Sequence, residues 1–222
     1  MIPAGQRQPA SLAKQRRKED VVDPLRNVKQ RLYRTVHRST PRRQKLLDMI
    51  PRGAVCAEVG VWRGDFSDRI LRVAQPSRLH LIDPWRAFDD GAYEGAWYGG
   101  RLEHGQADMD ALYRSVLDRF SSERERGVVQ VHRMMSTEAA DTLPDAFFDF
   151  VYIDGNHMYE FVLADLQAFA PKVRPGGLLA GDDYGVQGWW GDGVTKAVDE
   201  FVGSGAATVV MLEQSQFVLH PA

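Results

Sequence analysis

Apolar and polar positions along this chain follow two rhythms. Short, nearly unbroken apolar runs at 54–59, 79–82, 128–131, 148–153 and 177–180 predict buried strands. Between them, apolar residues recur at helical spacing. Phe66, Ile70 and Val73 form one stripe, and Met109, Leu112, Val116 and Phe120 a second. Val162, Leu166 and Phe169 form a third, and Val194, Val198 and Phe201 a fourth. Alternating strand and helix units imply a mostly parallel sheet covered by helices on both faces. Two more runs, 207–212 and 216–219, are joined by too few residues for a crossover, so they predict an antiparallel ending to a seven-stranded, doubly wound α/β sheet.

The chain before residue 54 is different. Residues 1–20 carry few apolar side chains and many charges, and predict a mobile start. Asp23-Pro24 and Thr40-Pro41 read as helix starts, followed by Leu25, Val28, Leu32 and Val36 in one case and Leu46, Leu47 and Ile50 in the other. Pro51-Arg52-Gly53 then breaks the pattern. The expected organisation is an N-terminal extension over 1–50 and one domain over 51–222.

Charge sharpens that division. A formal net charge of −2 conceals twelve Lys/Arg against three Asp/Glu in residues 1–43, a basic arm on an acidic domain. Such an arm can meet nucleic acid, anionic lipid or an anionic substrate, or pack against a second copy in a homodimer, and its plainest reading is a solvated helix. No apolar run approaches the roughly 20 residues that span a bilayer, and the start lacks a secretory apolar stretch, so the expected compartment is the cytoplasm, with no membrane partner. The single cysteine, Cys56, lies inside an apolar run and reads as a core thiol.

In parallel sheets, ligands bind beyond the carboxyl ends of the strands. Four predicted strands end in acids here: Glu58 in the first, Asp83 after the second, Asp154 after the fourth, and Asp182-Asp183 after the fifth. Several carboxylates on one rim repel one another and call for a cation. The turn after the first strand contains Gly60 and Gly64, spaced Gly-x-x-x-Gly, and leads to Ser67. It lacks the Gly-x-Gly-x-x-Gly pattern that cradles a pyrophosphate. Asp83 follows about twenty residues later, where a carboxylate can accept two hydrogen bonds from a ribose. The long connection 83–108 holds Trp85, Trp97, Tyr98 and several glycines, and reads as a lid.

These segments, in this order, resemble class I S-adenosylmethionine-dependent methyltransferases with a Rossmann-like fold. Glu58-Val59-Gly60-Val61-x-x-Gly64 is similar to their first motif, and Ile82-Asp83-Pro84-Trp85 to the acidic motif that follows. The segments 150–159 and 175–184 resemble their fourth- and fifth-strand motifs, and the likeness spans about 54–202. Within the class, the combination is similar to the magnesium-dependent sugar O-methyltransferases of the macrocin and mycinamicin type. The resemblance implies S-adenosylmethionine bound by Glu58, Gly60, Gly64, Ser67, Asp83, Trp85, Asp154 and, at the adenine, Ser136 after the third strand. It implies magnesium (Mg2+) on Asp154, Asp182 and Asp183, an ion that prefers hard oxygen ligands and leaves room for a substrate hydroxyl. His157, three residues beyond Asp154, is the expected general base, although related loops often carry an acid near this position where this chain has Asn156-His157. Tyr159 and Tyr184 are the alternatives, and Ser136 can equally cap a helix.

The expected function is methyl transfer to a hydroxyl of a small molecule, a sugar or saccharide by resemblance, with Trp189-Trp190 as a stacking surface. Rival readings are a nucleic-acid-binding protein or nucleic-acid methyltransferase working through the basic arm, an NAD-dependent oxidoreductase, and a metal-binding relative without transferase activity. The acidic domain disfavours nucleic acid, and the missing dinucleotide pattern disfavours NAD.

Overall fold

The computed structural model describes residues 43–88, 98, 102 and 104–222. The predicted helix over 25–36, the predicted mobile start and Trp97 lie outside the described residues.

Seven strands form one sheet: β1 (Val55–Val59), β2 (Arg78–Ile82), β3 (Val129–His132), β4 (Phe148–Ile153), β5 (Val173–Gly181), β6 (Ala207–Glu213) and β7 (Gln216–Pro221). Their order is β3-β2-β1-β4-β5-β7-β6. Pairings among β1 to β5 are parallel, and β7 runs antiparallel between β5 and β6. The fold is therefore the Rossmann-like doubly wound sheet expected from the apolar rhythm. The β6–β7 hairpin turns on Gln214 and Ser215, both at positive φ, a two-residue turn whose twist suits antiparallel strands.

Alternation along the strands divides the core into two layers. Cys56, Leu81, Phe150, Tyr152 and Ala180 face α1 (Gln44–Asp48), α2 (Asp65–Val73) and α3 (Gln106–Arg119). Ala57, Val59, Val151, Ile153 and Leu179 face α5 (Ser136–Thr142), α6 (Tyr159–Phe169) and α7 (Gly193–Gly203). A short helix α4 (Ser121–Glu125) follows α3 and carries no buried residue, so the apolar rhythm held no sign of it.

Leu46 and Leu47 of α1, with Ile50, are buried in the same layer as β1. The compact unit containing the sheet accordingly runs from Thr40 to Ala222. Cys56 is fully buried, and burial pushes its thiol far above the ordinary range, as a core thiol requires.

Candidate active site

The first strand-to-helix turn is built by close approach. Gly60 has φ +88, and a Cβ there would lie 2.2 Å from the backbone oxygen of Asp154. Glycine thus lets the end of β1 touch the end of β4. Gly64, at φ +75, is the residue before α2, and its N–H donates to Val61 O at 2.8 Å. Beneath this turn, Ser67 Oγ donates to Glu58, and both side chains are buried. Burial raises the Glu58 carboxyl to about 8 despite the Ser67 bond. These two residues satisfy one another under the turn.

Asp83 sits 2 % exposed at the end of β2 with four donors around it. Oδ2 accepts from the N–H groups of Val61 at 3.0 Å and Trp62 at 2.9 Å. Oδ1 accepts from the Trp85 N–H at 2.7 Å and from the Tyr98 hydroxyl at 2.6 Å. Burial pushes this carboxyl upward, opposed by those same bonds. Trp85 is fully buried, and its indole N–H donates to Trp62 O at 2.9 Å.

Strand-end acids gather as the spacing suggested. Asp154, Asp182 and Asp183 are linked through the side chains of Arg43 and His157. Arg43, just before α1, places Nη2 2.8 Å from Asp154 Oδ2 and also in a short bond with Asp182. Its guanidinium stands over the rings of Phe66 and Tyr152, at 4.8 and 5.2 Å. The other Asp182 oxygen accepts from Asp183 N–H at 2.8 Å, Ser215 Oγ at 2.9 Å and the Gln216 amide. Gln216 in turn accepts from the Tyr152 hydroxyl at 3.0 Å. Burial works against the Asp182 charge, yet Arg43 and these bonds hold its carboxyl below the ordinary range. Asp154, with fewer donors, is raised by burial to about 6 against the pull of Arg43.

His157 Nε2 is 2.9 Å from Asp183 Oδ2 and 3.7 Å from Asp154 Oδ1. Burial pushes its pKa down, but the Asp183 bond and the charges of Asp154, Asp183 and Asp182 outweigh that, and the net shift is upward. The imidazole packs on Trp190 at 4.6 Å between centroids. Trp189 meets Trp190 edge to face and is 37 % exposed. Of the alternatives to His157, Tyr159 donates to Glu200, and the Tyr184 hydroxyl donates to Asp199 at 2.9 Å.

Ser136 is the first residue of α5. Its hydroxyl donates to Asp165 on α6, a buried acid raised by burial to about 6. Glu138 accepts the Met135 N–H at 3.2 Å and so caps this helix in place of Ser136.

Arg43, Asp165, Ser215 and Gln216 join the site without having been expected there, and Tyr98, expected only as part of a lid, bonds Asp83 directly. Asp165 had a signal: it lies three residues after Val162 and beside Leu166, on the buried stripe of its helix. Arg43 counted only as one more charge of a basic arm. Gln216 carried no signal.

A family model described as a methyltransferase domain matches residues 57–184. No curated protein sequence matches the chain. Among solved structures, it is similar to the calicheamicin methyltransferase, at 18 % identity over 88 % of this chain and 79 % of that one, with a TM-score of 0.53. It is similar to a candidate caffeoyl-CoA O-methyltransferase from Staphylococcus aureus, at 10 % identity, covering 88 % and 83 %, with a TM-score of 0.54. The B. subtilis tRNA methyltransferase TrmK matches at 12 % identity, covering 83 % and 67 %, with a TM-score of 0.51. At such identities the likeness is one of fold.

Proposed function

The chain belongs to the methyltransferase-domain family, and from that premise we propose that it is an S-adenosylmethionine-dependent O-methyltransferase acting on a hydroxyl of a small molecule, a sugar or saccharide. One observation carries the choice of oxygen as acceptor: His157 stands 2.9 Å from Asp183 and beside Asp154 at the same sheet rim as Asp83. A titratable base among carboxylates there suits deprotonation of a hydroxyl.

S-adenosylmethionine, when bound, supplies an electrophilic methyl group on a sulfonium. Its ribose is assigned to Asp83, where the Tyr98 hydroxyl already stands as a hydroxyl donor to the carboxylate. Gly60 and Gly64 shape the turn that would face the cofactor, because a Cβ at Gly60 would strike the Asp154 backbone and one at Gly64 the Phe120 ring. Glu58 and Ser67 act on the cofactor through the shape of that turn, and Trp85 through its place beside Asp83. Ser136 and Asp165 form a polar pair near the expected adenine edge.

Asp154, Asp182 and Asp183 would hold magnesium, whose charge would lower the pKa of an acceptor hydroxyl. Among the described residues no three such side chains stand ready around one point, but the donor types suit the ion: hard carboxylate oxygens, two of them disposed about one positive nitrogen, Arg43 Nη2. With Nε2–H donating to Asp183, which holds the ring, His157 then accepts the acceptor's proton at Nδ1. Trp189 offers an exposed aromatic face for a sugar.

Calorimetry with S-adenosylmethionine, and methyl transfer to a panel of sugars and catechols with magnesium and then with chelator, tests this reading. Absence of cofactor binding overturns it. His157→Ala should lower turnover by about 100-fold, within the range for a general base, while leaving the cofactor Kd within about twofold. Unchanged turnover removes His157 as the base.

A further inference from the structure

Parallel strands that end in acids need positive charge, and here the chain supplies its own. Arg43 Nη2 bonds both Asp154 and Asp182, so the guanidinium lies between the two carboxylates. Its setting is built for it. The faces of Phe66 and Tyr152 lie 4.8 and 5.2 Å from the guanidinium carbon, inside the range of cation–π attraction. Tyr152 donates to Gln216, and Gln216 and Ser215 each donate to Asp182 Oδ1, which fixes that carboxylate beneath the arginine. The Arg43 side chain is 21 % exposed, so this pair is shielded from solvent more than a surface ion pair.

A guanidinium does not lose its charge in a protein, and it cannot share the same two oxygens with a divalent ion. Resting on the assignment of this rim as a cation site, we propose that Arg43 is its resident counter-ion, and that a divalent cation reaches Asp154 and Asp182 only by displacing the guanidinium. Arg43 thus sets the metal affinity of the site and holds its carboxylates in place when no metal is bound. The ion and the arginine are alternatives.

Binding of Mn2+ alone to the full chain, read from the electron paramagnetic signal of free Mn2+, tests this in the wild type, Arg43→Met and Arg43→Lys. Methionine keeps much of the bulk and removes the charge. Loss of one charge-assisted competitor predicts Mn2+ binding at least about tenfold tighter in Arg43→Met, with Arg43→Lys between it and the wild type. Equal or weaker binding in Arg43→Met, or no Mn2+ binding to either protein, overturns the proposal. In case Arg43→Met fails to fold, the wild type is titrated with Mg2+ while the Arg43 Nε–H resonance, assigned from Arg43→Lys, is followed by NMR. Movement of that resonance with Mg2+ saturation is expected, and saturation without movement overturns displacement. S-adenosylmethionine affinity and methyl transfer are measured on the same samples. Their loss with the Mn2+ result intact strikes the methyltransferase reading and leaves the counter-ion role standing.

Discussion

Replacing Asp83 with Asn keeps the shape of the side chain and removes one acceptor oxygen. In the wild type, two backbone N–H groups converge on Oδ2, and the Trp85 N–H and the Tyr98 hydroxyl converge on Oδ1. An amide must turn its NH2 toward one of these pairs. The smaller loss puts it toward Trp85 and Tyr98, because a hydroxyl can rotate and accept whereas a backbone N–H cannot. The Trp85 N–H then stays buried without a partner, at a cost of about 1–3 kcal/mol, and the remaining bonds lose their charged acceptor. Relief of the buried charge offsets part of this, since burial already disfavours the ionised form. Net destabilisation of about 2–3 kcal/mol follows, a fall in Tm of roughly 4–12 °C for a domain of this size. Urea and thermal unfolding measure that, and calorimetry of S-adenosylmethionine binding on the folded variant measures the second consequence. A ribose hydroxyl at the Tyr98 side then meets an NH2 instead of a carboxylate oxygen and must accept where it donated, which should cost at least about tenfold in affinity. A wild-type melting profile would refute the four-donor arrangement. A lowered Tm with wild-type cofactor affinity would refute the ribose assignment alone.

Two further outcomes depend on packing and on protons. Gly60→Ala brings Cβ against the Asp154 backbone oxygen and should destabilise by about 3 kcal/mol or more, while Gly53→Ala, at φ +75 but with nothing within 4 Å, should cost only the left-handed conformation, about 1–2 kcal/mol. Equal losses in chemical denaturation would show that β1 and β4 do not meet at Gly60. His80 is pushed down to about 4 by burial, His132 and Arg78. The folded state therefore binds fewer protons than the unfolded one between about 6.5 and 4, so this contribution is complete above 6.5 and is lost as pH falls. The loss is of order 2 kcal/mol, and the difference between unfolding free energies at pH 6.5 and 4.5 should shrink in His80→Leu. An undiminished difference would assign the acid sensitivity to other groups.

Much of the architecture was legible in the chain because burial on both faces leaves an unbroken apolar signature. The run 148–153 coincides with β4, and the other strands agree within a few residues, β5 starting four earlier at Val173 because the exposed Arg174-Pro175-Gly176 interrupts its apolar pattern. The positions of the strand-end acids were equally legible, since a strand's end fixes where the next residue emerges. Asp154, Asp182 and Asp183 do meet at one rim, and His157 stands among them. Local pattern thus determined the sheet, its layers and the need for positive charge at its carboxyl edge. Tertiary structure alone decided what meets that need. Arg43 lies 111 residues from Asp154 and 139 from Asp182, and Gln216 lies 34 from Asp182. Nothing in a local rhythm distinguishes a paired, partly buried arginine from any other arginine of a basic segment. Its role arises because Leu46 and Leu47 anchor α1 on the sheet, which carries the preceding residue over Phe66 and Tyr152 to the carboxylates. Electrostatic pairing acts through space, whereas periodicity reports only which face of a segment is buried.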